Sequence, residues 1–449
     1  MNDTIAAIST ALGVGAISII RVSGEESINI VNKIFKGKDL TKVDTHTINY
    51  GHIIDNNEII DEVLVSIMKA PKTFTKEDIV EINCHGGIAT TNKVLELLLS
   101  NGVRLAEPGE FTKRAFLNGR IDLVEADGIM NLISSKTDKA RKMSINELNG
   151  KVSSLIKDMR DNLIKIISNI EVNIDYPEYD DIEVVTNEKI LPEIKNIQEK
   201  LVKTIKESEN GRLLNEGINV GIIGRPNVGK SSLLNTLLEE NKAIVTDIEG
   251  TTRDIVEGSL SLNGVILNII DTAGIRETDN IVEQIGVEKS FEIIDKSDLI
   301  IFILNNNEPL TKEDLELYNK IKNKKHITVL NKIDLEQKID LTKIEEDIVK
   351  VSLINNNAEK IKEKIIELFN LEQLETSDLT YLTNARSISL LKQTNTHIDN
   401  AIISIHNEEP IDIVELELKQ SWDKLGEIIG ETYTDELLDE LFSRFCLGK

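Results

Sequence analysis

Gly224-Arg225-Pro226-Asn227-Val228-Gly229-Lys230-Ser231 follows the apolar run Ile218–Ile223 and opens a helix-compatible stretch, Lys230–Leu238. The spacing is that of a phosphate-binding loop, in the strand-then-helix context such a loop needs. Glycines let successive backbone N–H groups turn inward around a β-phosphate. Lys230 then bridges the β- and γ-phosphates, and the Ser231 hydroxyl ligates Mg²⁺. The helix N-terminus adds its partial positive charge. A chance glycine-rich turn would not bring the strand, the helix and the Lys-Ser pair together.

Further motifs stand downstream at fitting distances. Asp271-Thr272-Ala273-Gly274 ends an apolar run, Val265–Ile270, paired with Gly258–Leu262 through the hairpin signal Asn263-Gly264. Asp271 is expected to hold Mg²⁺ through water, and the Gly274 N–H to face the γ-phosphate. Asn331-Lys332-Ile333-Asp334 follows the run His326–Leu330. A carboxylate at Asp334 can accept from guanine N1–H and the exocyclic amine. Adenine offers no such pair, so the motif separates a GTPase from an ATPase. Ser352-Leu353 stands where GTPases place a last base-contacting loop, but departs from the usual Ser-Ala-Lys. In Gly250-Thr251-Thr252-Arg253, one threonine hydroxyl is expected to complete the Mg²⁺ shell, making that loop a switch. The residue after Gly274 is Ile275, which cannot orient water as a glutamine would. Glu277 and Glu283 are the local candidates for that task.

Elements must position these residues. The chain has 449 residues, enough for two to four domains at roughly 100–200 residues each. Hydrophobic residues make up 40% and aromatics 4%, so the cores are expected to be built from Ile, Leu and Val. Apolar β-branched runs at Ala16–Val22, Glu58–Met68 and Asp78–Cys84, with turn signals at Asp55-Asn56-Asn57 and Gly86-Gly87, predict a mixed α/β N-terminal region. A helix is expected over Thr90–Leu99. From about Phe111 the pattern is helical. Ile145, Leu148, Val152, Leu155, Met159, Leu163, Ile166, Ile170 and Ile174 predict one face of a single long helix. A second, through Ile194, Ile197, Leu201 and Ile205, is expected to pair with it antiparallel. From Ile218 to about Leu371 strands alternate with helices, the mark of a parallel sheet. Helices then return over Ser387–Ser404 and Asp412–Phe445.

The expected fold class is multidomain α/β. It comprises an N-terminal α+β domain (1–118), a helical domain built from two segments (119–215 and 373–449) and an inserted Ras-like P-loop domain (216–372). Two cysteines, Cys84 and Cys446, exclude a disulfide framework and a cysteine-rich zinc site. With no apolar run near the ~20 residues a membrane span needs and no secretory signal, a reducing cytoplasmic location is expected. The net charge of −25 disfavours unaided nucleic-acid binding, because phosphate contacts call for a basic face.

Further short stretches make the chain recognisable: Gly13-Val14-Gly15-Ala16-Ile17 with Arg21, Cys84-His85-Gly86-Gly87, Pro108-Gly109-Glu110-Phe111-Thr112, Gly250-Thr251-Thr252-Arg253-Asp254 and the terminal Cys446-Leu447-Gly448-Lys449. With the Asn227-type phosphate loop, they make the whole chain resemble the MnmE (TrmE) family of tRNA modification GTPases. The resemblance implies a potassium-activated G domain, with Asn227, Thr246, Ile248 and Thr251 as K⁺ ligands. It puts the Mg²⁺ threonine at Thr252, beside Ser231, and selects Glu283 to orient water, with Lys230 as the other catalytic group. The implied GTP or GDP contacts are Asn227, Val228, Gly229, Lys230, Ser231, Ser232, Thr246, Asp247, Ile248, Glu249, Gly250, Thr251, Thr252, Asp271, Thr272, Ala273, Gly274, Asn331, Lys332, Asp334 and Ser352. The N-terminal domain is implied to be folate-binding-like, to hold a 5-formyltetrahydrofolate through Arg21, Glu81, Arg120 and Lys449, and to form a homodimer. Arg120 stands where the family leads one to expect lysine. From the residues alone, Arg21 reads as a surface arginine.

The resemblance further implies an FAD-dependent partner, MnmG, in a heterotetramer. Together they would place a carboxymethylaminomethyl group on carbon 5 of the wobble uridine of tRNA, with no membrane involved. Cys446 is a candidate reactive thiol in that family, and equally an ordinary thiol on a tail. Its Cys-Leu-Gly-Lys ending does not fit a prenylation box. A regulatory or ribosome-assembly GTPase without one-carbon chemistry is the competing reading. Such a factor would be expected to carry a basic RNA-binding module, and none is visible. A membrane-remodelling GTPase would need a lipid-binding segment, also not visible.

Overall fold

The computed structural model describes residues 3–175, 187–240, 256–270, 291–344, 347–355, 358–369, 371 and 380–448. Two compact units divide the chain. One comprises Met1–Met130, Glu147–Gln198 and Leu390–Lys449, the other Asn131–Asn146 and Glu199–Ser389.

The first unit opens with strands Ile5–Ile8 (β1) and Ile17–Ser23 (β2), helix Ser27–Ile34 (α1), and strands Phe35–Gly37 (β3), Thr47–Asp55 (β4), Glu58–Met68 (β5) and Ile79–His85 (β6). Helix Ile88–Ser100 (α2), strand Arg104–Leu105 (β7) and helix Glu110–Leu117 (α3) follow. The sheet order is β3-β4-β5-β6-β2-β1-β7. β7 runs parallel to β1, and the other neighbours are antiparallel. Alternation in β5 explains its one covered face: Val63, Val65 and Ile67 are buried while Leu64 is exposed. Ile28 and Val31 of α1 and Val94 and Leu98 of α2 close over that face. The β4–β5 hairpin turns on Asn56 and Asn57, both left-handed (φ 46° and 73°), a conformation asparagine tolerates.

Helices Leu123–Ser134 (α4), Asp138–Leu148 (α5), Lys151–Asp175 (α6) and Asn187–Glu216 (α7) come next. The single long helix expected from Ile145 to Ile174 is therefore two. Gly150, in the left-handed region (φ 73°), ends one and starts the other, the usual role of glycine at a helix C-terminus. Ile174, predicted on the apolar face, is exposed.

The second unit carries strand Ile218–Ile223 (β8), helix Lys230–Glu240 (α8), the hairpin strands Val256–Leu262 (β9) and Val265–Ile270 (β10), strand Leu299–Asn305 (β11), helix Lys312–Ile321 (α9), strands His326–Asn331 (β12) and Ile348–Lys350 (β13), and helix Glu359–Leu368 (α10). The order is β13-β12-β11-β8-β10-β9, parallel apart from β9. β11 shows why the sheet is covered on both faces. Leu299, Ile301 and Ile303 enter one core cluster, and Ile300, Phe302 and Leu304 enter the other. Chain order reverses beside β8, between β10 and β11. The crevice at the carboxyl ends of the strands there is where open α/β sheets bind ligands.

The chain ends in helices Ala385–His406 (α11), Ile411–Ile429 (α12) and Asp435–Ser443 (α13). Within the first unit, α6 takes α12, from the far end of the sequence, as its main neighbour, in place of the expected α7. Buried Arg160 of α6 stacks on the Trp422 ring (4.0 Å) and pairs with Glu431, contacts that α7 does not supply. This meeting of early and late helices agrees with a helical domain drawn from two chain segments. Among the described residues, no helix is long and apolar enough to cross a membrane.

Candidate functional site

The phosphate loop joins β8 to α8, and its shape follows from its glycines. Gly224 and Gly229 have φ of 145° and 113°, conformations that residues with a Cβ rarely adopt. A Cβ on Gly224 would lie 2.5 Å from the Ile303 carbonyl oxygen, and one on Gly229 would collide with the Asn331 amide. Asn227 is left-handed as well (φ 62°). At the loop's edge the Lys230 ammonium donates to the carbonyls of Gly224 (2.6 Å) and Arg225 (2.9 Å). Burial pushes Lys230 below the usual lysine range, opposed by the negative charge of Glu313. Ser231 and Ser232, at the head of α8, are exposed.

The loop after β12 sits directly on this cradle. The Asn331 side chain donates to the Val228 carbonyl at 2.8 Å, and its oxygen accepts from Lys332 N (2.8 Å) and Leu353 N (3.2 Å). Lys332, itself left-handed (φ 63°), donates to the Asn227 carbonyl at 2.8 Å. The Ser352 hydroxyl donates to the exposed Asp334 carboxylate at 2.5 Å. Asn227, Val228, Gly229, Lys230, Asn331, Lys332, Asp334 and Ser352 thus lie in adjoining loops tied together by these contacts, although their sequence positions span more than a hundred residues. Thr246, Asp247, Ile248, Glu249, Gly250, Thr251, Thr252, Asp271, Thr272, Ala273, Gly274 and Glu283 lie outside the described residues, as do Ile275 and Glu277.

A second cluster lies on the N-terminal sheet. Arg21 of β2 stands opposite Glu81 of β6, and its Nε and Nη2 donate to one Glu81 oxygen at 2.9 and 2.8 Å. The Arg21 guanidinium lies 5.6 Å from the centre of the Phe74 ring and 5.7 Å from that of Phe111. Arg120 approaches Phe74 as well, at 4.9 Å. Arg21, paired with Glu81, and Arg120 therefore meet at one aromatic ring. Arg21 is a clamped residue rather than a free surface arginine. Lys449 lies outside the described residues, but the preceding Gly448 carbonyl accepts from the Ser9 hydroxyl at 3.0 Å. Cys446 is exposed, and its carbonyl accepts from Gly109 N at 3.4 Å.

Comparison with known proteins decides the family. A family model described as the MnmE helical domain matches residues 123–446, and one described as the GTP-binding protein TrmE N-terminus matches residues 4–120. The tRNA modification GTPase MnmE of Bacillus cytotoxicus is 54% identical over 455 residues, covering 100% of this chain and 99% of its own. That of Bacillus anthracis is 52% identical with the same coverage.

The chain belongs to the MnmE family of tRNA modification GTPases.

As a member of the MnmE family it is a GTPase, and its nucleotide is a guanine nucleotide. Solved G domains overlap it only in part. The FeoB iron transporter G domain of T. maritima covers 34% of this chain and 98% of its own, at 29% identity and a TM-score of 0.26. Era of Aquifex aeolicus, bound to GDP and AlF4⁻, covers 40% and 66%, at 24% identity and 0.24. Overlaps of that extent add no weight to the MnmE assignment. Two site features escaped the sequence reading. Phe74, the ring between Arg21 and Arg120, sits in a stretch with no motif. Arg225 lies inside the phosphate-loop motif, but its partners Glu308 and Asp314 are more than eighty residues away.

Proposed function

We propose that this MnmE-family chain hydrolyses GTP as one component of tRNA wobble-uridine modification. Its FAD-dependent partner is an MnmG-type protein, and the product is a carboxymethylaminomethyl group on uridine carbon 5, with the one carbon drawn from a formyltetrahydrofolate. It acts in the cytoplasm, on tRNA held mainly by the partner, since a chain of net charge −25 repels polyanions. Residues 1–118 would hold the folate and residues 216–372 the nucleotide, with 119–215 and 373–449 as the helical domain.

The observation that carries the one-carbon part is the meeting of Arg21, paired with Glu81, and Arg120 at Phe74. Two guanidinium groups and an aromatic ring suit a flat, electron-rich heterocycle with an anionic tail. Lys449 would complete the set. Exposed Ile48, Tyr50 and Leu64 share one face of the β4–β5 hairpin, with Tyr50 opposite Leu64. An apolar face of this kind supports a homodimer through this domain.

In the G domain the exposed Ser231 hydroxyl suits Mg²⁺, with Thr252 the second ligand and Asp271 holding the ion through water. Asn227, held in an unusual backbone conformation, suits K⁺, with Thr246, Ile248 and Thr251. When bound, these cations neutralise charge on the phosphates. Lys230 binds the phosphate tail, Glu283 orients the attacking water, and Asp334 reads guanine.

The test is calorimetry of the purified protein with 5-formyltetrahydrofolate, with Arg21→Ala as control. Micromolar binding, lost in the variant, is the expected result. No uptake would move the chain to the class of regulatory GTPases. A GTPase rate equal in potassium and sodium would remove the K⁺ role of Asn227.

A further inference from the structure

The phosphate loop is held from outside as well as from within. The Arg225 backbone carbonyl accepts from Lys230, while its side chain reaches another element. Its Nε donates to the Asp314 carboxylate at 3.0 Å, and its Nη2 lies 3.2 Å from Glu308. Asp314 is only 1% exposed. The same carboxylate closes the capping box of α9. It accepts from Thr311 N (3.0 Å) and the Thr311 hydroxyl (2.8 Å), and that hydroxyl accepts from Asp314 N (3.3 Å). Threonine and aspartate complete such a box without a cation. The arginine therefore adds something other than the cap. A buried carboxylate also needs a well-placed partner to offset its desolvation.

The contacts continue toward the base loop. Glu308 accepts from the Asn305 side chain at 2.6 Å. Asn305 ends β11 opposite Asn331 of β12. The next residue, Asn306, donates its backbone N–H to the Asn331 carbonyl (2.9 Å) and its side chain to the Leu335 carbonyl (2.9 Å). Arg225 thus links the phosphate loop, through the β11–α9 connection, to the loop that carries Asp334.

We propose that Arg225 is a positioning residue for GTP. Clamped on Asp314 and Glu308, it fixes the loop backbone so that the carbonyls of Gly224 and Arg225 hold Lys230 at the phosphate end of the site. This role rests on the nucleotide reading of the loop. It acts on the phosphate tail and leaves the choice of base to Asp334.

The test compares Arg225→Ala, Arg225→Lys, Asp314→Asn and the Arg225→Ala/Asp314→Asn double variant in the full-length chain. The measurements are GDP and GTP affinity, KM and kcat, and the preference for GTP over XTP. Arg225→Ala is expected to raise Kd and KM about tenfold, the scale of one lost charge-assisted contact, with base preference kept. Arg225→Lys recovers part of the loss, because one charge but not the two-point contact is restored. Asp314→Asn keeps an acceptor for Thr311 and gives the same loss, and the double variant is no worse than either single. Unchanged Kd and KM in Arg225→Ala, or losses that add in the double variant, would overturn the proposal. If Arg225→Ala does not fold, Glu308→Gln replaces it. That surface variant is expected to weaken GTP at least twofold, and wild-type affinity would overturn the proposal equally. Absence of any GTP binding by the unaltered protein would instead overturn the nucleotide reading beneath it.

Discussion

The side chain of Asn331 donates to the carbonyl of Val228 across 2.8 Å, although 103 residues separate them. Through its oxygen it also holds Lys332 N and Leu353 N. One buried carboxamide therefore joins the base loop, the phosphate loop and the loop after β13. Asn331→Ala leaves the Val228 carbonyl and the Leu353 N–H without these partners, at about 1–3 kcal/mol for buried groups. GTP and GDP affinity should both fall by roughly ten- to a hundredfold, measured by titration with a fluorescent guanine nucleotide. Equal affinity in the variant would show that the three loops hold their places without it.

Gly229 is a tightly constrained position of the cradle. Its φ of 113° excludes side chains on backbone grounds, and a Cβ would drive into the Asn331 amide. Gly229→Ala should cost about 1–3 kcal/mol in backbone strain and also break the Asn331 contact. The expected result is a lower melting temperature together with loss of detectable GTP binding. Gly102 is the control, since it too has positive φ (96°) but nothing within 4 Å of a Cβ. Gly102→Ala should show the backbone penalty alone, with nucleotide binding kept.

Strands bounded by clear turn signals were legible to the residue. β5, β8 and β10 run as their apolar patterns predict, because each is a β-branched run closed by glycine, asparagine or a charged turn. β1 and β4 were missed. Ile5–Ile8 is too short to show a period, and Thr47–Asp55 carries polar residues at its exposed positions. The break at Gly150 was lost because the apolar spacing continues across it, and periodicity cannot register a single left-handed residue. The phosphate and guanine motifs were legible because their chemistry is local. The contacts of Asn331 with Val228 and of Arg225 with Asp314 were not, since the first joins the loops of two different strands and the second joins the phosphate loop to the first turn of α9. The partner of Arg21 depends on the β2–β6 register, which no local pattern fixes.

Asp334 is exposed at the rim, and Ser352 holds one of its oxygens at 2.5 Å. Asp334→Asn exchanges an acceptor for a donor, which suits the 2-oxo group of xanthine. GTP affinity should drop by about a hundredfold or more, and xanthosine triphosphate should become the better substrate, read from hydrolysis rates with each nucleotide. Ser352→Ala removes a single orienting hydrogen bond, at about 1 kcal/mol, and should weaken GTP severalfold without changing base preference. A Ser352→Ala variant that also accepted xanthosine nucleotides would mean that the serine itself reads the base.

Acid should weaken the first unit through Glu110. This carboxylate is 4% exposed, and burial alone would raise its pKa. The hydrogen bonds from Arg104 (2.5 Å), Glu107 N (2.8 Å) and Arg114 (3.0 Å) outweigh burial and hold it below the ordinary glutamate range. Asp3, bonded to the same two arginines, is held low as well. A carboxylate whose folded pKa is depressed binds fewer protons folded than unfolded. Its stabilisation is therefore present above the unfolded pKa and is lost as pH falls through the folded one. Glu110→Gln should cost about 1–3 kcal/mol near neutrality, since it removes charge-assisted bonds while keeping shape. As pH falls below the ordinary glutamate range and through the depressed folded pKa, the gap to wild type should close, because the wild-type side chain then becomes protonated as well. Urea unfolding of both proteins across that range measures the gap. A gap of the same size in acid and at neutral pH would show that Glu110 stabilises by packing and not by charge.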